Sequence, residues 1–298
     1  IEYGSAIILE DDLLVSPNFY AFASEALRFS ADKKYIGGIS LYNHELNVLT
    51  GDYFSAREDG YDNWYLQFAS SWGQAWSSNQ WSHFKEWYSD NKSLKAHPKI
   101  PGNVQKWSEK SWLKYFIGFL IEKNMYFLFP KISLTTNFSD QGTHIGEDST
   151  KFQVPMLYSK KPHWNFSSLE ESESTYDSFF ENENLFKYLN LTKEEVLINL
   201  NDQKPKEKRK YLLTSNILDY KIVKTYGKSL KPMENNIIEN IEGHDIFLYN
   251  TDLREKNSYT KNNIKNTLYN IKGVTYRQAI SLALKLTKDR IKTTLKIK

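Results

Sequence analysis

The stretch "AIILEDDLLVSPNFYAFASEAL", Ala6 to Leu27, decides how the chain is read. "AIILE" is short and aliphatic, the pattern of a buried strand and too brief for a helix. Glu10, Asp11 and Asp12 follow at its exit. Ser16-Pro17 then reads as a helix start, with Ser as N-cap and Pro at the first helical position, and the helix runs to about Phe29. A strand that hands over to a helix is the unit of an α/β layer architecture. Carboxylates at the carboxyl end of such a strand sit where α/β sheets bind ligands. Three adjacent negative charges repel one another, and two arrangements relieve that. A hard divalent cation, Mn²⁺ or Mg²⁺, takes oxygen ligands and is often shared with substrate phosphates. Alternatively, the acids simply precede a helix whose dipole favours negative charge.

Outward from this stretch, strands and helices continue to alternate. "YIGGIS" (35–40) reads as a strand whose glycines allow close backbone approach. Residues 41–63 read as a long loop. "WYLQFASSWGQAW" reads as a strand and a glycine turn, followed by a helix over about 77–88. Residues 89–107 are polar, contain two prolines and read as a loop. Trp112, Tyr115, Phe116, Phe119 and Leu120 form an amphipathic stripe, predicting a helix over 108–123. "MYFLFP" is a strand ended by Pro130. The acidic run "NFSSLEESESTYDSFFENEN" and the basic "NDQKPKEKRK" place a polar linker or excursion over 165–210. A shorter alternation follows: "YLLTS", "YKIVKTY" and "HDIFLYN" as strands, "MENNIIENI" as a helix, and two helices near 259–271 and 275–297.

Composition narrows the classes. With 298 residues, 40% hydrophobic and 25% charged, the chain can bury a core and has the length of about two domains. The absence of cysteine excludes disulfides and thiolate chemistry. A net charge of +3 does not point to nucleic acid as a partner. Seven of the eight Trp fall between Trp64 and Trp112, where they either fill a core or offer stacking platforms. A buried strand at Ile7–Leu9 with nothing before it leads to the expectation that the N-terminal part of a larger catalytic domain is missing.

"IILEDDLLVSPNFYAF" resembles the aspartate motif of glycosyltransferases with the GT-A fold. It is most similar to the Golgi N-acetylglucosaminyltransferase I type and to bacterial relatives in polysaccharide gene clusters. "SSWGQAWSSNQW" resembles the Trp-Gly-x-Ala-Trp segment of the bacterial relatives, and "SEKSWLKYFIGFLIEKNMYFLFPKISLTTNFSDQGTH" their next block. The three blocks cover about residues 5–146, roughly half of the chain. The resemblance implies that Asp12 is the metal ligand and that Glu10 and Asp11 contact the nucleotide sugar. It also implies that Trp72, Gly73 and Trp76 line the acceptor side of the donor sugar, beside Ser111 and Trp112.

Two positions depart from the family pattern. The Golgi type carries its catalytic base, an Asp, directly before a Trp, where this chain has Ser111. Glu109 is the nearest carboxylate and would share a helix face with Trp112 (i, i+3). It is either the base or a solvated first-turn acid. His144, in a loop with Asp140, is either a second ligand or phosphate contact, or a surface histidine.

The tail closes the reading. Residues 275–298 carry seven Lys or Arg against Asp289, a net +6, which leaves −3 for the rest. Ile280, Leu284, Ile291 and Leu295 form one helical stripe. Such a helix either lies on an anionic membrane surface or docks on its own domain. The expectation is an α/β protein: the C-terminal part of a GT-A (Rossmann-like) domain over 1–164, the linker over 165–210, and a smaller mixed α/β and helical region over 211–298. Its expected activity is metal-dependent transfer from a nucleotide-sugar donor to a glycan or lipid-linked oligosaccharide acceptor, in bacterial surface polysaccharide synthesis, with inversion implied by the resemblance. The expected location is cytoplasmic, peripheral on the inner face of the membrane. Two other classes compete: a catalytically impaired carbohydrate-binding or scaffold protein derived from such an enzyme, and a phosphotransferase or hydrolase, for which the chain has no phosphate-gripping glycine loop.

Overall fold

In the computed structural model, the described residues are 4–94, 97–138, 151–271 and 273–295, with side chains described as far as 291. The chain divides into two compact units, Ile1–Tyr259 and Thr260–Lys298.

The first unit begins with β1 (Ser5–Ile8), β2 (Leu13–Val15), α1 (Phe19–Ser30), β3 (Ile36–Ser40), β4 (Asn63–Leu66), β5 (Gln74–Ser77) and α2 (Ser78–Asp90). It continues with α3 (Gly102–Gln105), α4 (Trp112–Glu122), β6 (Tyr126–Pro130), β7 (Thr135–Asn137), β8 (Thr175–Tyr176), α5 (Leu185–Tyr188) and β9 (Val196–Asn199). It ends with β10 (Tyr211–Thr214), β11 (Lys221–Tyr226), α6 (Asn235–Ile238) and β12 (Ile246–Asn250). The second unit holds α7 (Asn263–Asn270) and α8 (Tyr276–Leu295). The α/β class expected from the sequence is what forms.

The main sheet has the order β1-β5-β3-β6-β4-β8. β3 and β6 run parallel, and β5 runs antiparallel to both β1 and β3, so β1, β3 and β6 share one direction. Its two faces are covered differently. Phe22, Ala23 and Ala26 of α1 recur at helical spacing and pack on Ile39, Tyr65 and Leu128. Phe84 and Trp87 of α2, with Phe116 and Phe119 of α4, cover Trp64, Phe127 and Phe129 on the other face. Gly38 is required here, because a Cβ on it would lie 2.3 Å from the Trp76 indole nitrogen. A second sheet, β11-β12-β10-β9, packs with Leu185 and Ile237 around its own core.

Several expectations change. β1 is an edge strand of the main sheet with Ile8 and Leu9 exposed, rather than the buried strand expected at Ile7–Leu9. The helix expected over 108–123 begins only at Trp112, with Ser111 as N-cap, so Glu109 lies before it. The expected linker is no linker. Residues 165–184 are woven into the main sheet: β8 pairs with β4, the Ser167 amide donates to Asn63 Oδ1 (2.7 Å), and Phe180 is buried in the aromatic core. Its serines looked solvated because partners such as Asn63, Asp59 and Arg57 lie about a hundred residues away. Ser16 is not the cap of α1. Its hydroxyl donates to the Leu157 carbonyl and accepts from the Asn18 amide, and the helix starts at Phe19.

Among the described residues, no helix is long and apolar enough to cross a membrane.

Candidate functional site

Because β1, β3 and β6 run the same way, their carboxyl ends share one edge, where α/β sheets carry their ligands. Four segments meet there. After β1 come Glu10 and the turn at Asp11-Asp12, all three exposed. After β3 come Leu41 to His44, before β5 come Trp72 and Gly73, and after β6 come Ser133 to Asn137.

Backbone hydrogen bonds lock these segments together. The Leu41 amide donates to the Gly73 carbonyl (2.9 Å), and the Leu134 amide to the Leu41 carbonyl (2.7 Å). Thr135 Oγ1 donates to the Trp72 carbonyl (2.6 Å). The Phe138 amide donates to the Asp12 carbonyl (3.0 Å), and β2 pairs with β7 so that Leu13 faces Asn137. β2, only three residues long, is what clamps the acidic turn in place.

The turn before β5 is possible only with Gly73. Its φ is +85°, a left-handed value, and a Cβ would stand 2.8 Å from Thr135 Cγ2. Trp72 is thereby presented half-buried, its ring edge-on to Tyr42 (4.7 Å) and beside Phe152 (5.0 Å).

Sequence reasoning missed three groups here. Asn137 Oδ1, Gln74 Oε1 and His44 Nε2 are buried with no hydrogen-bond partner among the described residues. Buried polar atoms are nearly always paired, so such atoms call for an explanation. Asn137 lies across from Leu13, one residue past the acidic turn, and Gln74 lies across from Ile8, two residues before Glu10. His44 sits against Tyr42, Phe129 and Phe180. Burial pushes its pKa down to about 3, so it is neutral at any physiological pH. The "WGQAW" motif already held Gln74, but only the β1–β5 register reveals its place.

The remaining expected residues distribute unevenly. Trp76 is 3% exposed, stacked on Trp81 (5.1 Å) and Phe116 (5.4 Å), and is a core residue rather than a contact surface. Trp112 is exposed and meets Trp76 edge-on (5.6 Å). Ser111 is half-buried at the start of α4 and makes no capping bond with its side chain.

Glu109 is turned elsewhere. Its carboxylate accepts from Lys114 Nζ (2.5 Å) and from the Tyr115 hydroxyl. That same hydroxyl oxygen lies 2.9 Å from the Lys92 carbonyl oxygen, just past the C-terminal end of α2, whereas Trp76 precedes the N-terminal end of that helix. Lys114 and then Tyr115 hold the Glu109 pKa below the usual carboxylate value. His144 and Asp140 lie outside the described residues.

Among the described residues, no group of three or more His, Cys, Asp or Glu is arranged to hold a metal ion. The donor chemistry at the acidic turn nevertheless suits a hard cation of the Mg²⁺ or Mn²⁺ type. Such ions need only one or two protein carboxylates, and the rest of the shell comes from water and substrate phosphates. The unpartnered amide oxygen of Asn137 beside the turn belongs to the same donor class. In comparison with known proteins, no family model and no curated protein matches the chain.

Proposed function

We propose that the chain is a metal-dependent glycosyltransferase of GT-A type. It would move a sugar from a nucleotide-sugar donor to a glycan or lipid-linked acceptor in bacterial surface polysaccharide synthesis, on the cytoplasmic side. The observation that carries this reading is the exposed Glu10–Asp12 turn, held at one sheet edge beside Trp72, Gly73 and Asn137.

Asp12 would hold the cation, with the Asn137 amide oxygen within the same segment pair. Bound there, the cation would offset the negative charge that builds on the departing diphosphate. Glu10 and Asp11 would orient the donor through its sugar hydroxyls. The half-buried Trp72 ring gives an apolar wall against which a sugar face can rest. The transfer is a displacement with inversion: the acceptor oxygen bonds to the anomeric carbon, the bond to the diphosphate oxygen breaks, and the acceptor proton passes to a base. Glu109 is the carboxylate nearest the family position, but the Lys114–Tyr115 clamp lowers its proton affinity and makes it a weak base.

The engaged Glu109 favours one second reading, a carbohydrate-binding protein derived from such an enzyme. Release of nucleoside diphosphate from a panel of nucleotide sugars, with and without Mn²⁺, separates the two. Cation-dependent release that disappears in Asp12→Ala supports the transferase. Saturable sugar binding with no release under any donor supports the binding protein.

A further inference from the structure

Thr260–Lys298 is a compact unit of its own and differs chemically from the rest of the chain. Ten of its residues are Lys or Arg and one, Asp289, is acidic, giving +9. With +3 for the whole, residues 1–259 carry −6.

Its helices are amphipathic with their apolar sides in water. At 100° per residue, Tyr276, Ile280, Ala283, Leu284 and Ile291 of α8 fall within about a quarter to a third of the circumference, and Leu282 and Leu286 widen that arc on one side. Arg277, Lys285 and Lys288 lie on the opposite flank. Tyr276 is 80% exposed, Leu284 67% and Ile291 53%. α7 repeats the pattern on a smaller scale: Ile264 and Leu268, one turn apart, are both exposed, with Lys265 on the same helix and Lys261 just before it. Arg290 falls inside the apolar arc, where its long stem can follow the surface and lift the guanidinium to the polar boundary.

We propose that Thr260–Lys298 seats the protein on an anionic lipid bilayer, with the basic flank at the headgroups and the apolar arc of α8 in the acyl boundary. Two observations together select this partner. A wide, exposed aliphatic arc is what an interfacial helix buries, and nucleic acid offers nothing to cover it. The concentration of +9 in one short unit is what an anionic surface attracts. α8 is not apolar enough to span, so it lies in the plane of the interface. Tyr276 at its first turn suits the headgroup level. The proposal stands apart from the transferase reading, because binding is measured without turnover.

The test is co-sedimentation of the full chain with phosphatidylcholine vesicles, with or without about one-third phosphatidylglycerol, at near-physiological salt. The expected result is at least about tenfold stronger binding to the anionic vesicles, weakening as salt rises. Ile280→Asn/Leu284→Asn and Arg277→Glu/Lys288→Glu should each lower that binding by about tenfold or more. All four positions are exposed, so circular dichroism and the melting temperature of the body should not change. Equal binding to neutral and anionic vesicles overturns the proposal. So does full vesicle binding by Ile280→Asn/Leu284→Asn, which would reduce the unit to a general polyanion patch that heparin should then occupy equally well. A concentration-dependent dimer that Ile280→Asn/Leu284→Asn dissociates, with no vesicle binding, overturns it in favour of a second copy of the chain.

Discussion

Two carboxylate trios invite comparison. Glu10, Asp11 and Asp12 stand side by side in an exposed turn. Asp177, Glu181 and Glu183 lie within seven residues of one another and are drawn inside. Asp177 pairs with Lys204 (2.5 Å), and Glu183 pairs with Lys193 (2.6 Å) and accepts from the Tyr126 hydroxyl. Glu181 is 1% exposed and accepts the Asn201 amide (2.7 Å). The difference is one of solvation. A carboxylate taken from water must be matched by a cation or donors within the fold, and those partners then occupy its lone pairs. The exposed carboxylates of Asp11 and Asp12 keep lone pairs available. The buried trio therefore contributes to stability, and the exposed turn is the one proposed to hold a cation.

The largest expected effect falls on the buried trio. Lys204→Ala should cost about 3 kcal/mol of unfolding free energy, because it leaves Asp177 and Glu181 without their cation. Urea titration measures this, and a loss within error would show that the trio is reached by water.

On the exposed side, Asp12→Ala should reduce cation-dependent donor turnover by about 10²–10³-fold. Its melting temperature should match that of the parent. Loss of both activity and stability together would erase the contrast between the trios.

The comparison sharpens with pH. Burial raises the Glu181 carboxyl from 4.5 to about 7, against the opposing pull of Lys204 and the Asn201 amide. Between those two values the folded chain binds more protons than the unfolded one, so this group's contribution to stability falls as pH rises from about 4.5 to 7 and is flat above. Glu181→Gln, which keeps an acceptor for Asn201, should gain on the parent by about 1–3 kcal/mol more at pH 8 than at pH 4. Equal gains at both pH values would mean that Glu181 stays ionised.

The smallest effect concerns Glu109, which has a foot in both classes: exposed, yet engaged by Lys114 and Tyr115. Glu109→Gln should change turnover by less than about tenfold, whereas loss of a true general base costs about 10²–10⁴-fold. A drop of the larger size, with donor binding retained, would restore Glu109 as the base. The smaller change directs the search to Asp140 and His144.

Much of the architecture was legible because the signals are local. An apolar stripe at helical spacing marked α4, the Ser16-Pro17 pair marked the neighbourhood of α1, aliphatic and aromatic runs marked β3, β6, β10 and β12, and the basic tail formed the two helices expected of it. The three-residue β2 and two-residue β8 were not legible, since so short a segment has no periodicity to read. Both exist because a distant strand pairs with them. The stretch 165–184 misled for a related reason. Its polar residues satisfy buried groups far along the chain, so local polarity did not mean solvation.

By itself, the sequence determined the α/β class, the strand that ends in three carboxylates, and the charge divide between the body and its last 39 residues. These depend on composition and on spacing within a few residues, which folding cannot alter. Only the tertiary structure decided which carboxylates stay in water, that Trp76 is core while Trp72 is half-exposed, that Glu109 answers to Lys114, and that Asn137 and Gln74 flank the acidic turn. Each of these depends on which distant segment arrives opposite a side chain. Strand register and crossing hydrogen bonds set that pairing, and no local pattern encodes it.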